Sequence, residues 1–291
     1  MTDPSIWRLE HFNNEAVGGR PPQNDSVIRT QRANTMKIEC QVVSVRDLTD
    51  RKRDEMFSLM GRYFENANRE LFEQDLAEKH WVIQFVDQKR GAVCGFSTQM
   101  LLKHTIEERE IQAIFSGDTI VDPLYWGNIR LMRGWAQVVL NLMKLHTSSE
   151  MYWFLITNSY RTYRYLPLFF REFYPRYESP TPVWASQLIE VFGREKYGRA
   201  FDGGKGIVRG DRWQGCRPGP TIAEITKERL SDPHVEYFSL RNPGYTRGDE
   251  LCCITPVMQH NWTPAAVRVV DSIVDSKATD LPMGTTVQTA F

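Results

Sequence analysis

The chain has 291 residues with 36 acidic and 36 basic side chains, so its formal net charge is zero. A neutral chain gives no electrostatic reason to expect nucleic acid or an anionic membrane as the main partner, because both attract an excess of Lys and Arg. Five cysteines without paired spacing favour a reducing compartment over a disulfide framework. The sequence has no apolar run of about 18 residues and no signal-peptide core, which predicts a cytoplasmic protein without a membrane span.

The start of the chain is polar, and its structured part is predicted to begin near residue 37. Residues 1–36 are rich in turn-forming residues, and we interpret them as an N-terminal extension that is either a loose tail or a docking segment. Alternation of apolar and polar side chains predicts a first strand at 37–45. Thr49 or Asp47 is placed to cap a helix, and a second short helix is predicted at 66–79.

The middle of the chain is predicted to run strand, helix, strand, helix. Residues 111–121 are β-branched and aromatic, and the small polar Ser-Gly-Asp step at 116–118 suggests a β-bulge. From Trp126 onward the apolar residues fall at helical spacing, which predicts an amphipathic helix. A short apolar run at 151–157 is typical of a buried strand, and a second amphipathic segment follows at 158–174.

A hairpin is predicted on each side of this central region. The first joins two β-rich runs at 81–86 and 92–100. The second joins 235–240 to 251–257 and is expected to supply the last two strands. The glycine-rich stretch around G-G-K-G is interpreted as a linker, because a nucleotide loop would need G-K-(Ser/Thr) after a strand.

Residues 121–132, V-D-P-L-Y-W-G-N-I-R-L-M, resemble the acyl-CoA-binding segment of the GNAT superfamily of N-acyltransferases. The pattern of that segment is V-x-P-x-x-(Gln/Arg)-x-x-G-x-(Gly/Ala). Val121 and Pro123 match it, whereas Trp126 stands where Gln or Arg is usual, and Ile129 and Leu131 replace the two small residues. The predicted order β-α-α-β-β-β-α-β-α is also the order of this superfamily.

The resemblance implies an α/β (α+β) fold. The expected core is a GNAT-like, mixed but mostly antiparallel sheet, flanked by helices and splayed at an acyl-thioester cleft, with N- and C-terminal extensions. We therefore divide the chain into an N-terminal extension (1–36), a GNAT-like acyltransferase domain (37–258) and a C-terminal helix and tail (259–291). An insertion at about 176–233 would interrupt the domain.

The resemblance also implies a thioester co-substrate, either acyl-CoA or the phosphopantetheine of an acyl carrier protein. The residues it places near the co-substrate lie around the end of the central strand, the start of the following helix and the end of the next strand. They are Ile120, Val121, Gly127, Asn128, Arg130, Leu131 and Asn158. No His, Cys or carboxylate spacing typical of a metal site is present, so no metal is expected.

Asp118 is the candidate catalytic base. Direct attack of an amine on a thioester needs a neutral amine, so a base must stand near the bulge. Asp118 is the only carboxylate within the bulge, and the resemblance implies that the base often comes from this strand. Glu110 is the alternative base. The structural alternative is that Asp118 has no catalytic role and accepts a hydrogen bond from a loop N–H.

Tyr165 is the candidate acid for the departing thiolate. In proteins that this chain resembles, a Tyr on the helix after the second strand commonly has this role. Tyr165 lies seven residues after Asn158, as in the family pattern. Tyr160 and Tyr163 are alternatives, and each of the three is equally compatible with a place in the core.

The resemblance and these candidate residues predict an N-acyltransferase that moves an acyl group from a thioester to an amine. The acyl group could be acetyl or a longer chain. The acceptor would be an amino acid, a peptide or a natural-product intermediate, with an acyl carrier protein as a further partner. The rival hypothesis is a GNAT-fold protein that binds an acyl thioester or a partner without turnover. A third is a GNAT-like enzyme that decarboxylates its ligand or loads a carrier.

Overall fold

A mixed sheet of eight strands organises the computed structural model, which describes residues 38–106, 108–126, 128, 130–146 and 150–274. The strands are β1 (Ile38–Ser44), β2 (Phe64–Glu65), β3 (Trp81–Asp87), β4 (Ala92–Ile106), β5 (Arg109–Val121), β6 (Glu150–Thr157), β7 (Phe201–Asp202), β8 (Ile207–Val208), β9 (Arg217–Pro218) and β10 (Glu250–Pro256). The α-helices are α1 (Asp50–Tyr63), α2 (Arg69–Ala77), α3 (Arg130–Leu145), α4 (Tyr160–Tyr163), α5 (Tyr165–Phe169), α6 (Val183–Tyr197), α7 (Pro220–Ala223), α8 (Lys227–Leu230), α9 (Pro233–Arg241) and α10 (Pro264–Val274).

The strand order confirms the predicted fold class. The large sheet runs β1-β3-β4-β5-β6-β10-β8-β7, and β2 pairs with β9 in a separate small sheet. Every ladder of the large sheet is antiparallel except the one between β5 and β6, which is parallel. Apart from the two-residue β2, the elements from β1 to α4 follow the predicted order. The fold is therefore a mixed, mostly antiparallel sheet flanked by helices, the architecture that the resemblance implied.

Helices cover both faces of the large sheet. On one face, α3 and α10 share a core in which the ring of Trp135 lies 4.5 Å from that of Trp153. On the other face, Met56 of α1 packs in a cluster with Phe96 of β4, and α6 contributes Phe192 to the core over β6 and β10. The apolar side of α3 is buried as its periodicity predicts.

Side-chain caps set the starts of α1 and α2. Thr49 Oγ1 accepts a hydrogen bond from the Lys52 N–H at 3.3 Å, so Thr49 is the cap of α1, while Asp47 lies in the preceding 3-10 turn. Asn68 Oδ1 accepts from the Leu71 N–H at 3.1 Å and caps α2. Each cap satisfies an N–H that the first helical turn leaves without a partner.

The predicted late hairpin is wrong, because residues 235–240 belong to α9. Asp232 caps this helix by accepting a hydrogen bond from the His234 N–H at 2.9 Å, and Pro233 occupies the first turn. Val235 and Phe238, three residues apart, are both fully buried, which is helical spacing. The run is too short to distinguish the two-residue period of a strand from the 3.6-residue period of a helix. The pair Asp232-Pro233, typical of a helix start, is the sequence feature that indicates the helix.

The interpretation of the glycine-rich stretch as a linker is also wrong. β7 and β8 form a hairpin whose turn is closed by a hydrogen bond from the Gly206 N–H to the Asp202 carbonyl at 2.8 Å. Gly206 has a φ of +66°, a conformation that glycine adopts without strain. Val208 pairs with Glu250, so β8 and β7 extend the large sheet beyond β10.

Residues 1–37 and 275–291 lie outside the described residues, and with them the N-terminal extension and the end of the C-terminal tail. The three-part division of the chain therefore remains a prediction. Within the described ranges, no helix is long and apolar enough to cross a membrane. The same part of the chain holds no group of three or more His, Cys, Asp or Glu side chains placed to bind a metal ion.

A first prediction concerns the contact between α3 and the sheet. A Cβ added at Gly134 would lie 2.5 Å from Ile83 Cγ2 and 2.8 Å from Cys40 Sγ, so Gly134→Ala forces the helix away from the strands. We expect a loss of about 1–3 kcal/mol in the free energy of unfolding, measured by urea denaturation, despite the helix propensity of Ala.

Gly61→Ala is the matched control, since Gly61 lies in α1 with no heavy atom within 4 Å of an added Cβ. We expect this variant to gain up to about 1 kcal/mol from helix propensity alone. A Gly134→Ala protein as stable as the control variant would contradict the close approach of α3 to β1 and β3.

Candidate active site

The gap between β5 and β6 is the central feature of the candidate site. The two parallel strands pair from Ile111 opposite Glu150 to Ser116 opposite Leu155. Beyond Ser116, β5 continues to Val121 and pairs only with β4. The two strands therefore stop pairing towards their carboxyl ends, as the predicted splay requires, and we call the unpaired region between them beyond Ser116 the opening.

A β-bulge lies at the point where the two strands part. Ser97 pairs with Thr119 and Gln99 with Ser116, so Gly117 and Asp118 together oppose Thr98. This confirms the predicted bulge. A Cβ at Gly117 would lie 2.8 Å from Thr98 Oγ1 and 3.0 Å from Lys79 Cε, so only glycine fits. Thr98 Oγ1 is buried without a hydrogen-bond partner among the described residues, which leaves a hydroxyl for a ligand at the bulge.

Asp118 lies beside this bulge within a group of charged side chains. Burial, followed by the charge of Asp75, raises the pKa of Asp118 from 3.8 to about 7. The charge of Glu250 raises that pKa further, while Lys79 and Arg212 lower it. Within the described chain no backbone N–H donates to the Asp118 carboxylate, so the structural alternative is not observed. A carboxyl group that titrates near neutral pH is suited to accept a proton.

Glu110, the alternative base, lies at the far end of the same strand. Eight residues separate it from Asp118, which is about 26 Å at ~3.3 Å per residue. Its side chain is exposed. Glu110 is therefore too far from the bulge to take a proton there.

Charged side chains from distant parts of the sequence surround Asp118. Lys79 is completely buried, with its ammonium group 2.6 Å from Asp75 Oδ2, and Lys196 pairs with Glu78. Glu250 precedes Leu251, which pairs with Thr157 at the end of β6. These residues come from α2, α6 and β10, so no local sequence pattern could have identified them as one group.

The start of α3 holds several of the predicted co-substrate residues. Asn128 Oδ1 accepts a hydrogen bond from the Arg130 N–H at 3.0 Å, and the side chain of Arg130 is exposed. Leu131 is buried in the core, so its side chain cannot line a phosphate site. Gly127 lies outside the described residues. The exposed charge of Arg130 beside a helix N-terminus suits an anionic group.

The end of β5 is more enclosed than the motif suggested. The side chain of Ile120 is buried in the core under α1. The carbonyl oxygen of Val121 accepts a hydrogen bond from the indole of Trp126 at 2.8 Å. Trp126 replaces the usual Gln or Arg. Its indole N–H takes up the Val121 carbonyl oxygen, to which an extended ligand could otherwise donate a hydrogen bond.

One arginine connects the two arms of the opening. The Arg161 guanidinium lies 4.2 Å from the ring of Trp126, after β5, and 4.5 Å from that of Tyr160, after β6. It also donates to the Ile222 carbonyl at 2.9 Å. Arg161 therefore joins both arms of the opening to α7, which contains Ile222. Asn158, half-buried, immediately follows β6 at the same end of the sheet.

Tyr165 lies on the α3 side of the sheet, whereas the charged neighbours of Asp118 lie on the α2 and α6 side. The ring of Tyr165 stacks on that of Phe169 with a centroid distance of 6.1 Å, and burial raises its pKa to about 12. Tyr163 is structural, since its hydroxyl donates to the Pro175 carbonyl at 2.9 Å. The structure therefore separates the two predicted catalytic groups by the thickness of the sheet.

Comparison with known proteins finds distant structural likenesses. No protein-family model matches the chain, and no curated protein matches it in sequence. A conserved protein of unknown function from Enterococcus faecalis, described as a probable N-acyltransferase, is 15% identical with a TM-score of 0.34, over 44% of this chain and 31% of that one. A Trypanosoma brucei acetyltransferase is 19% identical with a TM-score of 0.33, over 50% of this chain and 100% of that one.

A glucosamine-6-phosphate N-acetyltransferase from Arabidopsis thaliana is 14% identical with a TM-score of 0.30, over 41% of this chain and 81% of that one. The chain thus spans about a third of the Enterococcus faecalis protein, which is similar over 31% of its length. At these identities and TM-scores, the geometry of the site remains the basis for assigning a function.

A second prediction follows from the raised pKa of Asp118. Between about pH 4 and pH 7 the folded protein keeps a proton that the unfolded chain has lost, so the stability due to this group is lost as the pH rises through that range. About three pH units between the two pKa values correspond to at most about 4 kcal/mol. We expect Asp118→Asn to increase the free energy of unfolding near pH 8 and to flatten its fall with pH.

The measurement is urea unfolding of both proteins from about pH 5 to pH 8. Asp271→Asn is the control, because Asp271 is exposed on α10 and far from this charged group. An Asp118→Asn protein with the pH dependence of the wild type would show that Asp118 does not titrate in this range.

Proposed function

We propose that this protein is an N-acyltransferase that moves an acyl group from a thioester to an amine by direct transfer. The observation that carries the proposal is a carboxyl group with a pKa of about 7, Asp118, beside a β-bulge at the point where two parallel strands part. In this proposal an extended thioester binds in the opening, and the carboxyl group supplies the base that an amine nucleophile needs.

The thioester would lie between β5 and β6 with its carbonyl carbon near the bulge. Backbone N–H groups that the bulge removes from the ladder can bond a pantetheine amide or the developing oxyanion, and each such donor contributes about 10²–10³ in rate. Thr98 Oγ1, which has no partner among the described residues, is a second donor directly opposite the bulge.

In the proposed reaction the acceptor amine attacks the carbonyl carbon, the new C–N bond forms and the C–S bond breaks. Asp118 accepts the proton that the amine loses. The departing thiolate accepts a proton from Tyr165 or from water. Because burial raises the pKa of Tyr165 to about 12, this hydroxyl is a weak acid, and water can replace it.

The donor is proposed to be acyl-CoA or the phosphopantetheine of an acyl carrier protein. The N-terminus of α3, with Arg130 exposed there, supports binding of a phosphate group from either donor. The acyl chain is proposed to be longer than acetyl. Apolar side chains such as Leu166 and Phe169, which lie in the core beside α3, support this length.

A thioester-binding protein without turnover is the second candidate function. It is favoured by the enclosure of the opening, where Trp126 bonds the Val121 carbonyl and Arg161 bridges Trp126 and Tyr160. Such contacts restrict the path by which reactants exchange.

A third prediction tests the proposed base. We expect Asp118→Asn to keep its affinity for the thioester and to lose 10²–10⁴-fold in amine-dependent thiol release, roughly the contribution of a general base. In the wild type, kcat/KM should rise as the pH increases through about 7 and then level off, because the ionised carboxylate is the active form.

The assay is thiol release from acetyl-, octanoyl- and palmitoyl-CoA with a pool of amino acids and small amines, together with intact-mass detection of bound thioester. Glu110→Gln is the matched control and should retain full activity. Bound thioester without release from any CoA ester or from a loaded carrier protein would favour the non-catalytic binding protein.

A fourth prediction tests Tyr165. If its hydroxyl protonates the thiolate, Tyr165→Phe should lower kcat by about 10–100-fold at every pH, with little effect on stability, because the ring stacking on Phe169 is kept. Tyr163→Phe is unsuitable as a neutral control because it loses a buried hydrogen bond. Unchanged kcat in Tyr165→Phe would assign the proton to water.

A further inference from the structure

Arg212 is held in a fixed position above the charged group at the bulge. Its guanidinium carbon lies 4.1 Å from the ring centroid of Tyr197 and 3.8 Å from that of Trp213. Its side chain is 19% exposed. A guanidinium packed against two rings offers a ligand the N–H groups at its edge.

The edge of this guanidinium has an unused donor. Arg212 Nε is buried without a hydrogen-bond partner among the described residues. The nearest carboxylate contact is between Nη2 and Glu250 Oε2 at 3.6 Å, which is longer than a hydrogen bond. A buried donor without an acceptor destabilises the folded protein, and an acceptor atom on a ligand would remove this cost.

The segment that carries Arg212 is fastened to the far side of the site. β9 pairs with β2, so that Arg217 lies opposite Glu65. Asn66 Nδ2 donates to the Gly215 carbonyl at 3.1 Å, and the Gly219 N–H donates to the Tyr63 carbonyl at 2.8 Å. These bonds hold the inserted segment against the connection between α1 and α2, and they fix Arg212 relative to Asp118.

The other cations of the group already have close partners. Lys79 lies 2.6 Å from Asp75, and Lys196 pairs with Glu78. Asp118 and the Arg212–Glu250 pair, whose nearest atoms lie 3.6 Å apart, complete the group with two carboxyl groups and one guanidinium. A ligand that matches them carries both a positive and a negative charge.

We propose that the amine acceptor also carries a carboxylate, as an amino acid does, and that Arg212 binds this carboxylate while the ammonium group faces Asp118 and Glu250. The inference rests on the proposed function and names the acceptor class of the same site. Arg212 Nε and one terminal N–H would bond the two carboxylate oxygens, the paired geometry for which a guanidinium is suited. The ammonium group would then lie where Asp118 can take its proton.

The test compares each of several amino acids with its carboxamide, in the thiol-release assay with acetyl-, octanoyl- and palmitoyl-CoA. The pair differs mainly in the charge of one group, so it isolates the contact with Arg212. We expect the wild type to prefer the free acid by 10-fold or more in kcat/KM, roughly the discrimination of a charged hydrogen bond. Arg212→Gln should lose this preference through a higher KM for the acid, with little change for the amide.

Arg212→Lys keeps the charge but not the planar pair of donors, and we expect an intermediate preference. Arg194→Gln is the control, because Arg194 is exposed on α6 and pairs with Glu190 of the same helix. It should keep the wild-type preference. Urea unfolding of each variant checks that the fold is retained.

Two failures are distinguishable. Amine-dependent release without preference for the acid, or with a preference that Arg212→Gln retains, would overturn the role of Arg212 and leave the proposed function standing. Absence of release with every amine and every thioester would overturn the proposed function. In that case calorimetric binding of the same acid and amide pairs decides the inference, and equal binding of acid and amide overturns it.

Discussion

The end of the pairing between β5 and β6 is the constraint on which the site depends. Up to Ser116 and Leu155 the two backbones satisfy each other's hydrogen bonds. Beyond that point β5 has a partner on one side only, and the bulge removes Gly117 and Asp118 from that ladder as well. Backbone polar groups in such a position need partners, so the opening suits an extended ligand with amide groups of its own.

Burial gives the side chains around this opening their chemistry. A carboxyl group in water has a low pKa, but Asp118 is enclosed by α2, α6 and the inserted segment, and the charges of Asp75 and Glu250 add to the effect. Close partners satisfy Lys79 and Lys196. The same enclosure leaves Arg212 with an unused buried donor. Arg212 therefore adds a positive charge and a free N–H to the carboxyl groups at the bulge.

Two segments differ from their predicted structure, residues 235–240 and the glycine-rich stretch, and both differences have physical causes. Residues 235–240 are too few for their apolar positions to distinguish a strand from a helix, and Asp232 and Pro233 favour a helix start. The composition of the glycine-rich stretch is typical of a linker, but its flanking residues form strands that pair with each other and with β10. In both cases the local pattern was ambiguous, and contacts with the sheet decided the conformation.

The sequence by itself determined the order of the elements from β1 to α4, the buried side of α3 and the bulge at 116–118, because periodicity and the small polar step are local properties of the chain. Only the tertiary structure decided which charged groups meet at the bulge, since Asp75, Asp118, Arg212 and Glu250 are far apart in sequence. It also decided that Ile120 and Leu131 face the core and that Trp126 bonds the Val121 carbonyl. The physical reason is that burial and electrostatic coupling depend on distance in space, which local spacing does not encode.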